Sequence, residues 1–288
     1  DLVVGAPLEE VAGTVAAGAV TIVCGNAASG LVSTGAIYLH AGQTFRSLAL
    51  DTDTRTILME ACDVDHYTQV YARKETEVLE RTGERPLPGA TLAQGRVRVT
   101  TTIEGFARRR LFGGEELSRH PLIAPPQILE TTAFWIELPA RLTPALVEEG
   151  FHPAGSLHAA EHAAIGLFPL LAICDRGDLG GISYARHPQS GLPSIFVYDG
   201  WPGGVGLSAA GFERAEELFD RTRQVIAACR CEDGCPACIH SPRCGSGNSP
   251  LDKAGAVWTL ESVLGLRDLP EVVASEELLA EALSTHRS

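Results

Sequence analysis

Five of the eight cysteines in this 288-residue chain, Cys229, Cys231, Cys235, Cys238 and Cys244, fall within sixteen residues, while Cys24, Cys62 and Cys174 are scattered. Thiols this crowded constrain the fold more than any hydrophobic pattern does. A disulfide scaffold spreads its cysteines through a small secreted chain, and no basic segment followed by an apolar run opens this sequence as a secretory signal would. Crowded reduced thiols indicate a metal and a reducing compartment, expected to be the cytoplasm. Cys231-x3-Cys235-x2-Cys238-x5-Cys244 offers four thiolates within fourteen residues. Zinc takes four such ligands as a tetrahedron with sulfur at about 2.3 Å. Gly234 and Pro236 supply the bends, and Gly245 and Gly247 relieve crowding after the last ligand. Cys229, at the end of an amphipathic helix, is expected to be a spectator. Cys231-x3-Cys235-x2-Cys238 is also a spacing that holds an iron–sulfur cluster, so that metal stays open as the alternative. A fourth cysteine closes the set, which favours structural zinc with no chemistry of its own.

Composition sets the remaining bounds. Hydrophobic residues make up 45% and charged residues 20%, with 23 Lys+Arg against 36 Asp+Glu and a net charge of −13. That is a globular chain of one large or two modest domains. Its longest apolar runs, such as residues 167–174, fall far short of the ~20 residues of a membrane-spanning helix, so no membrane partner is expected. No G-x-x-x-x-G-K-[ST] phosphate loop occurs. The chain opens at Asp1 and its single methionine is Met59, which reads as a piece of a longer protein.

Patterning predicts an α+β protein in three parts. Residues 1–34, rich in Ala, Gly and Val, read as the tail of a preceding domain. Residues 35–140 read as an antiparallel β-rich subdomain. A hairpin is expected over 36–48, and Val97, Val99, Thr101 and Ile103 alternate with Arg96, Arg98, Thr100 and Thr102. The charged stretch 75–90, with Pro86, Pro88 and Gly89, reads as an exposed loop. Residues 141–288 read as a helical subdomain bearing the zinc site. Its helices are expected after a Thr143–Pro144 start, over 156–168, along the apolar face of Phe212 to Ile226, after a Ser249 cap, and over 275–283.

Three further patterns compete for function. His158-Ala-Ala-Glu161-His162 matches the H-x-x-E-H of inverted zinc peptidases, with Glu213, Glu216 or Glu217 as a possible third ligand; a hydrogen-bonded helix contact is the plainer reading. Gly204-x-Gly206-x-x-Ala209 matches a dinucleotide fingerprint, yet the helix after it runs into the cysteines and not into a strand with an acid. A glycine turn whose amides could touch a phosphate fits better. Residues 91–125 carry six Arg against Glu104, Glu115 and Glu116. Arg96, Arg98, Arg108, Arg109 and Arg110, with Trp201 for stacking, are the candidate nucleic-acid contacts.

Taken in order, the motifs resemble a known family. They are 157-LHAAEH-162, 199-DGWPGGVG-206, 231-CEDGCPACIHSPRCG-245, Asn248 and 251-LDK-253, preceded by 35-GAIYLH-40 and 67-YTQ-69. Together they look like the C-terminal zinc-binding region of MrfA-type superfamily 2 DNA helicases, the mitomycin-repair group and its fungal relatives. The resemblance covers about residues 35–265. It implies a parent that is an ATP-dependent 3′–5′ helicase of DNA repair, with single-stranded DNA as partner. The RecA-like motor domains, with their ATP and Mg²⁺, precede this part, and the resemblance implies that the domain ending in the 1–34 tail is winged-helix-like. It implies Cys231, Cys235, Cys238 and Cys244 as zinc ligands and no catalytic residue in this chain, and it weakens the peptidase reading.

Overall fold

The computed structural model describes residues 19–23, 35–40, 42–51, 56–121 and 125–270. The helix expected over 275–283, and all of the expected 1–34 tail except one strand, lie outside them. The fold is α+β, as the pattern predicts, and every strand pair with a defined register is antiparallel. The described strands make two sheets. The first has the order β1 (Ala19–Val23), β4 (Thr56–Cys62), β3 (Gln43–Asp51), β2 (Ile37–His40). The second runs β5 (His66–Leu87), β6 (Ala90–Arg110), β8 (Gln127–Glu137), β10 (Ser194–Asp199), β9 (Leu179–Tyr184), with β7 (Glu116–Pro121) also paired to β6.

Two compact units emerge, and they do not divide at residue 140. Of the described residues, those within 1–74, 100–127 and 243–246 form one, and those within 75–99, 128–242 and 247–270 form the other. The expected boundary dissolves because β8, from the β-rich part, pairs with β10, from the helical part, along five residues from Ser194↔Glu137 to Tyr198↔Ala133.

In the first unit the predicted hairpin is present, with Ile37 opposite Arg46 and His40 opposite Gln43. Ile37, Tyr38, Thr44 and Ser47 of the hairpin are buried, as are Ile57 and Met59 of the neighbouring β4. Across the β6–β7 pair Phe106 stacks on His120 with ring centroids 5.0 Å apart, and the Arg119 guanidinium lies 4.8 Å from the Tyr71 ring.

In the second unit β5 and β6 replace the loop expected over 75–90. The stretch is a strand because its charges find cross-strand partners: Arg98 bonds Glu77 at 2.7 Å, and Arg81 bonds Glu137 at 2.7 Å. Only Pro88 and Gly89 turn. The Gly89 amide reaches the Val263 carbonyl at 3.0 Å, and a Cβ at 89 would collide with the Ser262 carbonyl oxygen. Alternation along β6 holds as read, with Val97 and Val99 buried and Arg96 exposed. Those valines pack with Trp135, Phe196 and Tyr198 on one sheet face.

The other face carries five helices: α1 (Leu142–Glu148), α2 (Pro153–Leu167), α3 (Leu207–Glu213), α4 (Ala215–Ala228) and α5 (Lys253–Val263). Helix α2 is central. Ala159, Ala160, Ala163 and Ala164 are all buried, and side chains this small let neighbours approach closely. Gly255 of α5 sits where a Cβ would strike the Ser156 hydroxyl. Phe134, Ile136, Phe168, Leu218, Phe219, Trp258 and Leu260 complete the core.

Three helix starts differ from the sequence reading. Thr143 caps nothing; it lies inside α1, and its hydroxyl donates to the Ala185 carbonyl at 3.1 Å. Helix α2 starts three residues early, capped by His152, whose Nδ1 accepts the Gly155 N–H. The cap of α5 is Asp252 and not Ser249, with its carboxylate accepting the Gly255 N–H at 2.8 Å. Long-range bonds accompany these differences: Thr143 is drawn to Ala185, and the Asp252 carboxylate that caps α5 also accepts the His152 N–H at the start of α2.

Candidate metal centre

The thiols that converge are those of Cys229, Cys231, Cys235 and Cys238. Their sulfurs lie 3.5 Å apart for 229–231, 3.6 Å for 229–235, 3.5 Å for 231–238 and 3.7 Å for 235–238. A tetrahedron with zinc–sulfur bonds of about 2.3 Å has edges of about 3.8 Å. Each measured edge falls within a few tenths of an ångström of that. A cluster of several irons would stand between the thiolates and hold them farther apart, so the spacing fits one ion.

Local backbone rules build this set as two pairs. Helix α4 ends at Ala228, and Cys229 leaves it in an extended conformation, φ −71° and ψ 129°. In extended backbone, side chains two apart share a side, which puts the sulfurs of Cys229 and Cys231 together. The second pair is a turn: the Cys238 N–H donates to the Cys235 carbonyl at 3.0 Å, and the Cys235 N–H points at the Cys238 sulfur at 3.3 Å. Gly234 joins the pairs at φ +116°, a region L side chains avoid.

Cys229 is therefore a member of the converging set, where the sequence made it a spectator, and Cys244 is not. Cys244 falls in the 243–246 segment of the first unit, its sulfur 3.1 Å from the Ser246 hydroxyl. Counting spacings forward from Cys231 selects Cys244 and passes over Cys229, because it ignores the direction of the chain as it leaves α4. The usable signal was symmetry: C-x-C followed by C-x-x-C is two side-sharing pairs. Among the metal-free thiols, hydrogen bonds from the Cys231 amide and from neighbouring thiols hold Cys229 down at about 7. Burial pushes Cys238 up to about 12.

The two histidines of the H-x-x-E-H pattern hold the cysteine loop and the segment after it from the side. His158 Nδ1 lies 2.9 Å from the Pro250 carbonyl and His162 Nδ1 2.8 Å from the Ile239 carbonyl. A carbonyl only accepts, so both Nδ1 atoms carry protons. Of the three carboxylates considered as a third peptidase ligand, two are engaged elsewhere, Glu216 with Arg85 and Glu217 with Arg214 and Arg221.

The glycine loop 199–206 is closed to phosphate by its own chain. Asp199, fully buried, accepts the N–H of Val205 at 2.6 Å, Gly206 at 2.8 Å and Leu207 at 3.2 Å on one oxygen, and that of Ser208 at 2.7 Å on the other. Those are the amides a phosphate would need. Trp201 donates its indole N–H to Asp178 at 3.1 Å.

The candidate nucleic-acid arginines are interleaved with acids. Arg96 pairs with Glu80 and Glu130, and Arg98 with Glu77 and Glu130. Arg109 pairs with Glu116, and Arg110 with Asp65 and Glu115. Arg96 and Arg98 belong to the second unit, Arg108, Arg109 and Arg110 to the first.

Fold and thiol geometry define a class, an α+β module whose tetrathiolate metal loop follows one helix and is clamped to another. The chain belongs to the family of the MrfA zinc-binding domain: that family's model matches residues 160–239, which include all four converging cysteines and end before Cys244. The protein MJ1572.1 of Methanocaldococcus jannaschii is 40% identical over 111 residues, 38% of this chain and 99% of that protein. The ATP-dependent helicase YprA of Bacillus subtilis (strain 168) is 30% identical over 207 residues, 71% of this chain and 27% of the helicase. The crystal structure of the helicase MrfA bound to DNA superposes with a TM-score of 0.53 at 27% identity, covering 82% of this chain and 30% of that one. This chain thus spans little more than a quarter of the helicase YprA.

Proposed function

We propose that this chain is the zinc-binding accessory region of an ATP-dependent, superfamily 2 DNA helicase that acts in DNA repair. Its role there is to support single-strand engagement and processive 3′–5′ translocation. The observation that carries the reading is the convergence of the Cys229, Cys231, Cys235 and Cys238 sulfurs inside a chain that resembles helicases along most of its length. ATP and Mg²⁺ belong to motor domains elsewhere in the parent, and no step of nucleotide chemistry falls to this chain. The cytoplasm is the proposed location; among the described residues no helix is long and apolar enough to cross a membrane.

Zinc supplies folding free energy at such a closed site and no chemistry. The residues of this chain do the rest. The C-x-C and C-x-x-C pairs present four sulfurs, and His158 and His162 fasten the following backbone to α2. The loop then becomes a rigid part of the helical layer.

Arg96, Arg98, Arg108, Arg109, Arg110 and Trp201 remain the proposed strand contacts. Phosphates would have to displace the carboxylates now paired with most of the arginines, so their contribution should be small and salt-sensitive.

The test is made on the parent helicase. Wild-type protein should carry zinc in stoichiometric amount, and Cys235→Ser/Cys238→Ser should lose it. The variant should keep its ATPase while unwinding shorter tracts. Unwinding as processive as wild type in the zinc-free variant would remove the accessory role. Arg96→Glu/Arg98→Glu should weaken single-strand affinity and flatten its salt dependence; an unchanged slope would dismiss those two contacts.

A further inference from the structure

Helix α5 begins with a residue that its own electrostatics disfavour. Lys253 is its first residue, where aligned peptide dipoles concentrate positive charge and favour an acid. Asp252 already meets the needs of that helix start, with one carboxylate oxygen accepting the Gly255 N–H and the other the His152 N–H, each at 2.8 Å. Nothing in the helix calls for a cation one residue later. Residues that break a local rule in an otherwise consistent fold mark places where another requirement prevails.

Here that requirement is the metal loop. The Lys253 ammonium donates to the Cys229 carbonyl at 2.7 Å and to the Cys231 carbonyl at 2.5 Å. These are the carbonyls of the C-x-C pair, the half of the set with no turn of its own to fix it. Two hydrogen bonds from one ammonium, twenty-two and twenty-four residues away, hold both peptide units in the orientation that brings their sulfurs to one side. The charge agrees as well. Four thiolates around one divalent ion carry a net charge of about −2, and Lys253 brings a cation against the backbone of two of them.

We propose that Lys253 is a positioning residue of the metal centre: it fixes the Cys229–Cys231 half of the site and offsets the negative charge of the thiolates, slowing loss of the metal. The proposal rests on the zinc reading above. Groups bonded to the ligands of a metal site set its affinity by about 10- to 100-fold.

The experiment uses the full chain loaded with zinc or cobalt(II), as wild type, Lys253→Met and Lys253→Arg. Lys253→Met should release zinc to a chromophoric chelator about tenfold faster or more, with the tetrathiolate cobalt spectrum unchanged. Lys253→Arg should recover most of the difference. Release from Lys253→Met at the wild-type rate overturns the proposal. Should that variant not fold, the ¹⁵N-lysine spectrum of wild-type protein decides. One ammonium protected from exchange in the zinc-loaded chain and lost on chelation supports the role; no protected ammonium overturns it. Wild-type protein that holds no zinc would sink the zinc reading itself. A zinc-replete wild type beside an unaltered Lys253→Met would sink only the role of Lys253.

Discussion

His162, in the middle of α2, donates its Nδ1–H at 2.8 Å to the carbonyl of Ile239, the residue directly after the last converging cysteine. One buried imidazole therefore joins the central helix to the metal loop. His162→Ala should leave that carbonyl unsatisfied and destabilise the chain by about 2 kcal/mol, while the four thiols remain. Urea unfolding of the zinc-loaded variant measures the loss. A variant as stable as wild type would mean that the loop stands without the helix.

The thiol set gives a direct contrast. Cys229→Ser should strip the site of zinc, and Cys244→Ser should keep the tetrathiolate intact. Metal per chain by mass spectrometry, with the sulfur-to-cobalt charge-transfer band as a second readout, distinguishes them. The opposite result would restore Cys244 to the ligand set and make Cys229 the spectator.

Asp199 predicts a purely structural acid. It is fully buried and accepts four backbone N–H groups, so Asp199→Asn sets an amide NH₂ against donors. The expected cost is about 3 kcal/mol, read as a lower urea midpoint at unchanged slope. Nucleotide titration should give no signal with wild type, since the loop amides are already occupied. Phosphate-dependent protection of those amides would contradict this.

His187 predicts acid sensitivity. It is buried against Tyr184 and Phe196, with Nε2 donating to the Thr76 carbonyl at 3.1 Å. Burial lowers its pKa below the ordinary 6.5. As pH falls through 6.5 the unfolded chain takes up a proton that the folded chain refuses, so stability is full above that value and declines below it. His187→Gln should lose less stability than wild type between pH 7.5 and 5.5. Zinc loss at acid pH is common to both proteins and cancels in the comparison. Equal losses would remove His187 as the cause.

The sequence by itself settled whatever depends on neighbours along the chain. The period-2 burial of Val97 and Val99, the hairpin of β2 and β3, the helical face ending at Ile226 and the loop carrying a thiolate site all follow from local pattern. So does the α+β order, because each element's period is written within ten or so residues. What tertiary structure decided depends on partners far away. Residues 75–87 are strand because Glu77 meets Arg98 and Arg81 meets Glu137, contacts no local window contains. The amides of residues 205–208 are taken up before any phosphate could meet them because Asp199, before them in the chain, accepts all four. Cys229 joined the metal set because of one backbone angle at the exit of α4, held on the far side by an ammonium from α5. Spacing limits which thiols can meet; the direction of the chain, fixed only when helices pack, decides which do.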